Sequence, residues 1–332
     1  MKKLILIVPL LIMVLFVVAM FLLLLGLWQW AVSFVLVVLI LNWWSETFAL
    51  HPFGEINSHY DFRILSFNVN RAHGFSVNMG TTEQLIEFIL KQNADIVLLQ
   101  EYNAELYPEV QERLNYEYSH NSVIEINSRF KTVFSRFSIE SCEQLMVDSN
   151  DPKYKLFQNA FYNKKNHKGI EVLPICKMKI MIAGRMVQVF NCHLMSNNYS
   201  VVIRNLRKKG QCICYGIIPI LKRLDFGYKA RTLQARILSE HIDENLPALI
   251  CGDFNDVSGS ATLHELQQSG LYDSWWKKGF GFGYTFHGMG LRFRLDHVLF
   301  TSKQFKLCNI IVPRTNVSDH SPTICDFVFL IK

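Results

Sequence analysis

Gly252-Asp253-Phe254-Asn255 follows directly on the apolar run Ala248-Leu249-Ile250-Cys251, and this junction decides how the fold is read. Four consecutive apolar residues closed by a glycine indicate a buried strand that breaks at its carboxyl end. Asp253 and Asn255 then emerge together at the rim of a sheet. Other polar groups leave predicted strands in the same way. Asn68 ends the run from Phe62, Glu101 ends the run from Asp95, and His193 ends Met186 to Cys192. Asp296 lies within Arg294-Leu295-Asp296-His297-Val298, and Asp319-His320 precedes the strand from Thr323 to Leu330.

Helices are interleaved with these strands. Thr81 or Thr82 caps a helix whose apolar stripe is Leu85, Ile86, Ile89 and Leu90, and Ser260 caps another through Gln268 that Gly270 ends. Further helices are expected over Ala104 to Leu114 and Lys229 to Asn245. Residues 116 to 186 read as short strands and loops, including a polar, basic loop from Asp148 to Gly169, and residues 279 to 290 as a glycine-rich aromatic loop. Runs of neighbouring strands with unevenly spaced helices fit a two-sheet α/β sandwich flanked by helices better than a doubly wound parallel sheet. Residues 61 to 332 make one domain of that kind.

The amino terminus is of another character. Residues 4 to 44 carry no charge, and a bilayer crossing needs about 20 apolar residues, so the stretch suffices for two crossings. Gly26 and Trp28-Gln29-Trp30 mark a turn between them, and Trp43-Trp44 suits the second interface. The expectation is a transmembrane hairpin over residues 1 to 45 and a linker over 46 to 60. A single tilted helix remains the alternative; a cleaved signal peptide has a shorter apolar core. Two crossings return the rest of the chain to the side of Lys2 and Lys3.

Eight cysteines among 332 residues could suggest disulfides, but Cys192, Cys251 and Cys325 fall in predicted strands, where cysteine acts as a small hydrophobe. This leans toward a reducing, cytoplasmic setting. The net charge of +6 suits an anionic substrate and is no nucleic-acid signature. The basic residues between 199 and 228 read first as a solvated face, and Cys212 and Cys214 do not make a zinc site.

Singly, Glu101 reads as an exposed strand end and Asn68 as a turn residue. Glu101 with Asn68 or Asp319 would offer magnesium the few hard oxygen ligands it needs. A buried Asp296 requires a partner, and His320 is the candidate; the pair would orient the imidazole and raise its basicity.

The ordered series Asn68, Gln100-Glu101, Asn191-Cys192-His193-Leu194, Gly252-Asp253-Phe254-Asn255, Asp296 and Ser318-Asp319-His320 resembles the endonuclease/exonuclease/phosphatase superfamily over residues 62 to 330. The resemblance implies a four-layered α/β sandwich and a Mg2+-dependent phosphodiesterase or phosphatase, with Mn2+ as a substitute. It implies that Glu101, Asn68 and Asp319 hold the metal and that Asp253 orients or deprotonates water. Asn255, His193 and His320 would contact the phosphate, with Asp296 orienting His320; which group is the general base stays open. Arg231 and Gln234 match the family's helix before the GDFN turn and read as structural. Gly283-Tyr284-Thr285-Phe286 matches a loop that could touch substrate. Expected partners are the membrane and a phosphoester, either nucleic acid or a phospholipid or inositol phosphate, and no protein. The setting implied is a bacterial-type cytoplasmic membrane. The rival is a non-catalytic, membrane-anchored protein that binds an anionic ligand, and loss of site residues would favour it.

Overall fold

The computed structural model describes residues 8–51, 59–71, 80–126, 129–148, 170–197, 205–206, 208, 210, 217–288 and 292–330. The expected loop over Asp148 to Gly169 lies almost wholly outside these residues, as does much of 199 to 216 with Cys212 and Cys214.

Two six-stranded sheets form the centre. One contains β2 (Phe62–Arg71), β3 (Ile96–Tyr102), β4 (His120–Ile126), β5 (Arg129–Ser135), β13 (Phe305–Ile311) and β14 (Thr323–Phe329), in the order β13-β14-β2-β3-β5-β4. The other contains β6 (Ser138–Asp148), β7 (Ile170–Ile182), β8 (Arg185–His193), β9 (Ala248–Asp253), β10 (Leu271–Asp273) and β12 (Asp296–Thr301), in the order β10-β12-β9-β8-β7-β6. Only β2-β3 and β8-β9 pair in parallel; the other pairings within these sheets are antiparallel.

Side-chain alternation builds the layers. Ile64, Leu98, Val189, Cys251, Val298 and Phe327 meet in the core between the sheets. The next residues along the same strands, such as Leu65, Phe67 and Leu99, face outward onto α3 (Thr82–Lys91) and α4 (Pro108–Glu117). Phe190, Ile250 and Leu299 likewise face α5 (Ile217–Glu240) and α6 (Ala261–Gln267). Helix, sheet, sheet and helix make the expected four-layered sandwich. Gln100 bridges its middle, donating to Asn191 Oδ1 at 2.7 Å and to Ser66 Oγ at 3.2 Å.

Several boundaries differ from the sequence reading. The fourth helix is displaced to Pro108–Glu117, and α5 begins at Ile217 and ends at Glu240. Its first half escaped the periodicity because Ile218 and Leu221 are exposed and the apolar stripe starts only where the helix reaches the sheet.

The amino-terminal stretch forms α1 (Val8–Leu24) and α2 (Trp28–Ser45). Among the described residues, α2 alone is long and apolar enough to cross a membrane; α1 is 17 residues long. Val8 and Ile12 of α1 share an apolar cluster with Val38 of α2 and with Val257 of the sandwich. The residues after α2 are docked against the sandwich. Asn42 Nδ2 donates to the Phe48 carbonyl at 2.8 Å while its Oδ1 accepts the Phe48 N–H at 2.7 Å. Residues Ala49–Leu50 (β1) then pair with Phe280–Gly281 (β11). Of the expected linker, residues 52–58 lie outside the described set.

Candidate active site

The alternation that fills the core also assembles the site. Following Ile64, Val189 and Cys251 outward in steps of two, the last inter-sheet positions are Asn68 on β2, His193 on β8 and Asp253 on β9. Asp296 is the first such position on β12. Register places both His193 and Asp296 directly beside Asp253. Glu101 follows the inter-sheet residue Gln100 and should face the helices, but its φ of 54° breaks the alternation. Its Oε1 thus lies 3.3 Å from His193 Nε2. Asn70 (φ 49°) and Asn255 (φ 51°) are also left-handed. Such backbone is uncommon outside glycine and gathers at functional sites. Gly252 is required where it stands, since its φ is 139° and a Cβ there would lie 1.9 Å from the Cys192 carbonyl oxygen.

Asp253 is the hub. Its Oδ2 accepts the Asn68 amide at 2.9 Å, its Oδ1 accepts the Asn255 N–H at 2.8 Å, and Oδ2 lies 3.7 Å from His193 Nε2 and 3.9 Å from His320 Nε2. Burial pushes the Asp253 carboxyl well above the usual carboxylate range, the charge of Asp296 adds to this, and His320 opposes it. His320 Nδ1 and Asp296 Oδ2 are 2.7 Å apart, which is the expected pair. Burial works against the imidazolium, but the charge and hydrogen bond of Asp296, reinforced by Asp253 and Asp319, push the His320 pKa up to about 10. Thr285 Oγ1 accepts the N–H groups of Leu295 and Asp296, and the Phe286 ring meets His320 edge-on.

Six of the eight expected site residues thus form one network of side-chain contacts, Asn68, Glu101, His193, Asp253, Asp296 and His320, and Asn255 joins it through its backbone N–H. Asp319 joins through Asn70, whose Nδ2 donates to its Oδ1 at 2.9 Å. Asn255 Nδ2 donates to the Leu194 carbonyl at 3.0 Å, which ties the turn to β8. Asn68 presents its NH2 to Asp253 and Glu101 while its Oδ1 accepts the Asn70 N–H.

Asp253, Asp296 and His320 offer ligand atoms within 4.8 Å of one another. Within that trio His320 Nδ1 is paired with Asp296 Oδ2, while His320 Nε2 faces Asp253 Oδ2 at 3.9 Å. Open oxygen donors include Asp296 Oδ1, which is buried without a hydrogen-bond partner among the described residues, and those of Glu101, whose side chain is 24% exposed, and of half-buried Asp319.

Sequence reasoning missed Asn70 and Asp273, and gave no role to Ser318 of the Ser318-Asp319-His320 motif. Ser318 Oγ donates to the Asn68 carbonyl at 2.8 Å and accepts the His320 N–H at 3.1 Å, locking β2 to the Asp319-His320 loop. Asn70, two residues after Asn68, was the readable signal. Asp273 accepts two hydrogen bonds from Arg294 Nη1 at 2.8 Å and one from His297 Nδ1 at 2.8 Å. This buried network sits behind Asp296 and has no local sequence pattern. Arg231 holds Asp256 at 3.1 Å and the Met195 carbonyl at 3.0 Å, a structural tie as expected.

The sequence profile of the Endonuclease/Exonuclease/phosphatase family matches residues 65–320, and the chain belongs to that family, a superfamily of phosphoester hydrolases. The catalytic domain of human Nocturnin with bound sulfate is similar in structure, with a TM-score of 0.55 and 15% identity over 81% of this chain and 94% of that one. D. rerio TDP2 humanized by 14 mutations gives 0.54 and 14% over 80% and 98%. The endonuclease/exonuclease/phosphatase from Bacteroides vulgatus gives 0.54 and 15% over 81% and 99%. These likenesses concern the fold. No curated protein sequence matches the chain.

Proposed function

We propose that the protein is a membrane-anchored, divalent-cation-dependent phosphodiesterase or phosphatase. One observation supports this above others: four carboxylates, those of Glu101, Asp253, Asp296 and Asp319, converge with two imidazoles on one rim of the sandwich. That excess of negative charge on partly buried groups calls for a cation. The donors are hard oxygens, which suit Mg2+ or Mn2+. Glu101, Asp319 and Asn68 Oδ1 are the groups that would hold the cation. A bound cation there supplies charge neutralisation at the phosphate.

The chain's own groups do the rest. Asp253, held by Asn68 and the Asn255 N–H, orients the attacking water and accepts its proton. His320, kept as imidazolium by Asp296, donates from Nε2 to a phosphate oxygen, and His193 approaches from the neighbouring strand. Fixed donors of this kind stabilise charge that develops in the transition state. Thr285 and Phe286 hold Asp296 and His320 in place.

Helices α1 and α2 cross the membrane as a hairpin and return the sandwich to the side of Lys2 and Lys3, read as cytoplasmic. Phosphoester hydrolysis by the full-length protein, supported by Mg2+ and abolished both by chelation and in Asp253→Asn, tests the catalytic reading. Activity indifferent to either treatment contradicts it. Protease protection in sealed vesicles tests the topology.

A further inference from the structure

On leaving α2 the chain doubles back along it. The side chain of Asn42 holds both backbone groups of Phe48, accepting its N–H at 2.7 Å and donating to its carbonyl at 2.8 Å. Asn42 directly precedes Trp43, a step of about 1.5 Å along the helix axis. Phe48 therefore lies level with the Trp43-Trp44 pair near the end of the apolar helix. Trp43 is 75% exposed, and Trp44 is exposed as well. Exposed tryptophans at the end of an apolar helix suit the headgroup level of a bilayer.

The Phe48 ring carries a second element to the same level. It meets the rings of Phe280 and Phe282 edge-on. The residues after it form the β1–β11 ribbon, Ala49 opposite Gly281 and Leu50 opposite Phe280. The ribbon is braced. The His51 N–H donates to the Gly279 carbonyl at 3.2 Å, and Trp275 Nε1 donates to the Gly281 carbonyl at 3.0 Å. Directly opposed residues of an antiparallel pair send their side chains to one face. On that face Leu50 is 59% exposed and Phe280 57%. Exposed Lys277 lies in the last turn of the short helix Ser274–Lys278 that leads into the ribbon, and a basic side chain beside an apolar patch suits lipid phosphates.

Apolar side chains exposed singly are ordinary. Leu50 and Phe280 differ in being adjacent, rigidly held and level with the end of an apolar helix. The exposed apolar sides of α1 and α2, which include Phe21, Leu36 and Ile40, continue through Trp43 and Trp44 toward them. Lipid around those helices reaches the ribbon by extending at the same level, whereas a protein partner would have to displace it.

We propose that the β1–β11 ribbon is a third membrane contact, which dips Leu50 and Phe280 into the headgroup region of the leaflet that α2 leaves. The inference rests on the reading of α1 and α2 as a membrane hairpin and goes beyond it. Two helices alone leave the sandwich free to tilt on the bilayer, and a third contact fixes that tilt. The strand β11 leads on to Thr285, whose Oγ1 accepts the Asp296 N–H, and to Phe286, whose ring meets His320. The docked element is thus the one that runs into the catalytic rim.

The test uses the unsubstituted full-length protein in nanodiscs that contain a phospholipid bearing a carbene-generating aryl diazirine on its acyl chain, close to the glycerol. After irradiation, the lipid adducts are mapped by mass spectrometry. Ile40 and Trp43 report the anchor. Tyr116, exposed in the last turn of α4, reports background, because the strand that follows it starts at His120, opposite Ser135, which pairs with Ile96 at the end of β3 away from the rim. Leu50 and Phe280 should be labelled as heavily as Trp43, and Tyr116 should stay bare. Label on Ile40 and Trp43 with none on Leu50 and Phe280 overturns the inference and leaves the anchor standing; a second copy covering the ribbon would give this result with two chains in each disc. Equal label on Tyr116 and the ribbon also overturns it. If α2 carries no label, the hairpin reading fails and this inference fails with it.

Discussion

Two buried aspartates show how environment assigns opposite roles to one side chain. Asp253 is burdened by burial and by Asp296, so its folded pKa lies above the unfolded value of about 4. A carboxyl with a raised folded pKa costs stability at every pH above its unfolded value. Asp253→Asn should therefore lower kcat by about 10²–10⁴-fold while leaving the thermal midpoint in EDTA equal or higher; a marked fall in that midpoint would mean that Asp253 is structural. Asp273 is the reverse case. Burial alone would raise its pKa, but Arg294 and His297 outweigh it and hold the carboxyl far below the usual range. Stability from this group is fully present above pH about 4 and is lost as pH falls through that value toward the folded pKa. Asp273→Ala strands buried Arg294 and should cost about 3–5 kcal/mol in urea unfolding. A cost under about 1 kcal/mol would show that the pair adds little.

At the scale of elements, the period-two alternation was legible, and it is what brings Asn68, His193, Asp253 and Asp296 to one rim. The turn of Glu101 was not, because a left-handed φ of 54° on a glutamate has no sequence signature. The first half of α5 was hidden because Ile218 and Leu221 face solvent, and the bond from the Asn255 amide to the Leu194 carbonyl has no sequence signature. The docking of the stretch after α2 was also invisible, since it depends on partners more than 200 residues away, such as Gln267 donating to Glu46 at 2.9 Å. Gly259 is the tightest point of that junction. Its φ is +67°, and a Cβ would lie 2.7 Å from the Ser45 backbone. Gly259→Ala should destabilise the protein by about 1–3 kcal/mol and loosen the anchor from the GDFN loop, read as faster proteolysis near Ser45. An unchanged midpoint and cleavage rate would show that the contact is dispensable.

Across the whole molecule, the anchor and the sandwich are joined by more than a tether. Asn42 fastens Phe48, whose ring packs edge-on against Phe280 and Phe282 at 6.0 and 4.9 Å, and β1 completes a small sheet with β11. A chain beginning at residue 61 loses all of these contacts. It should melt at a lower temperature than the full-length protein. Equal melting temperatures would mean that residues 46 to 51 contribute nothing. The central claim is that the rim around Asp253 hydrolyses phosphoesters with a divalent cation. The most direct measurement is ester hydrolysis by the full-length protein in bilayers, with Mg2+, with EDTA, and with Asp253→Asn. Turnover that requires Mg2+ and collapses in the variant is the predicted result; hydrolysis that persists in EDTA or in the variant, or none under any condition, would contradict the account.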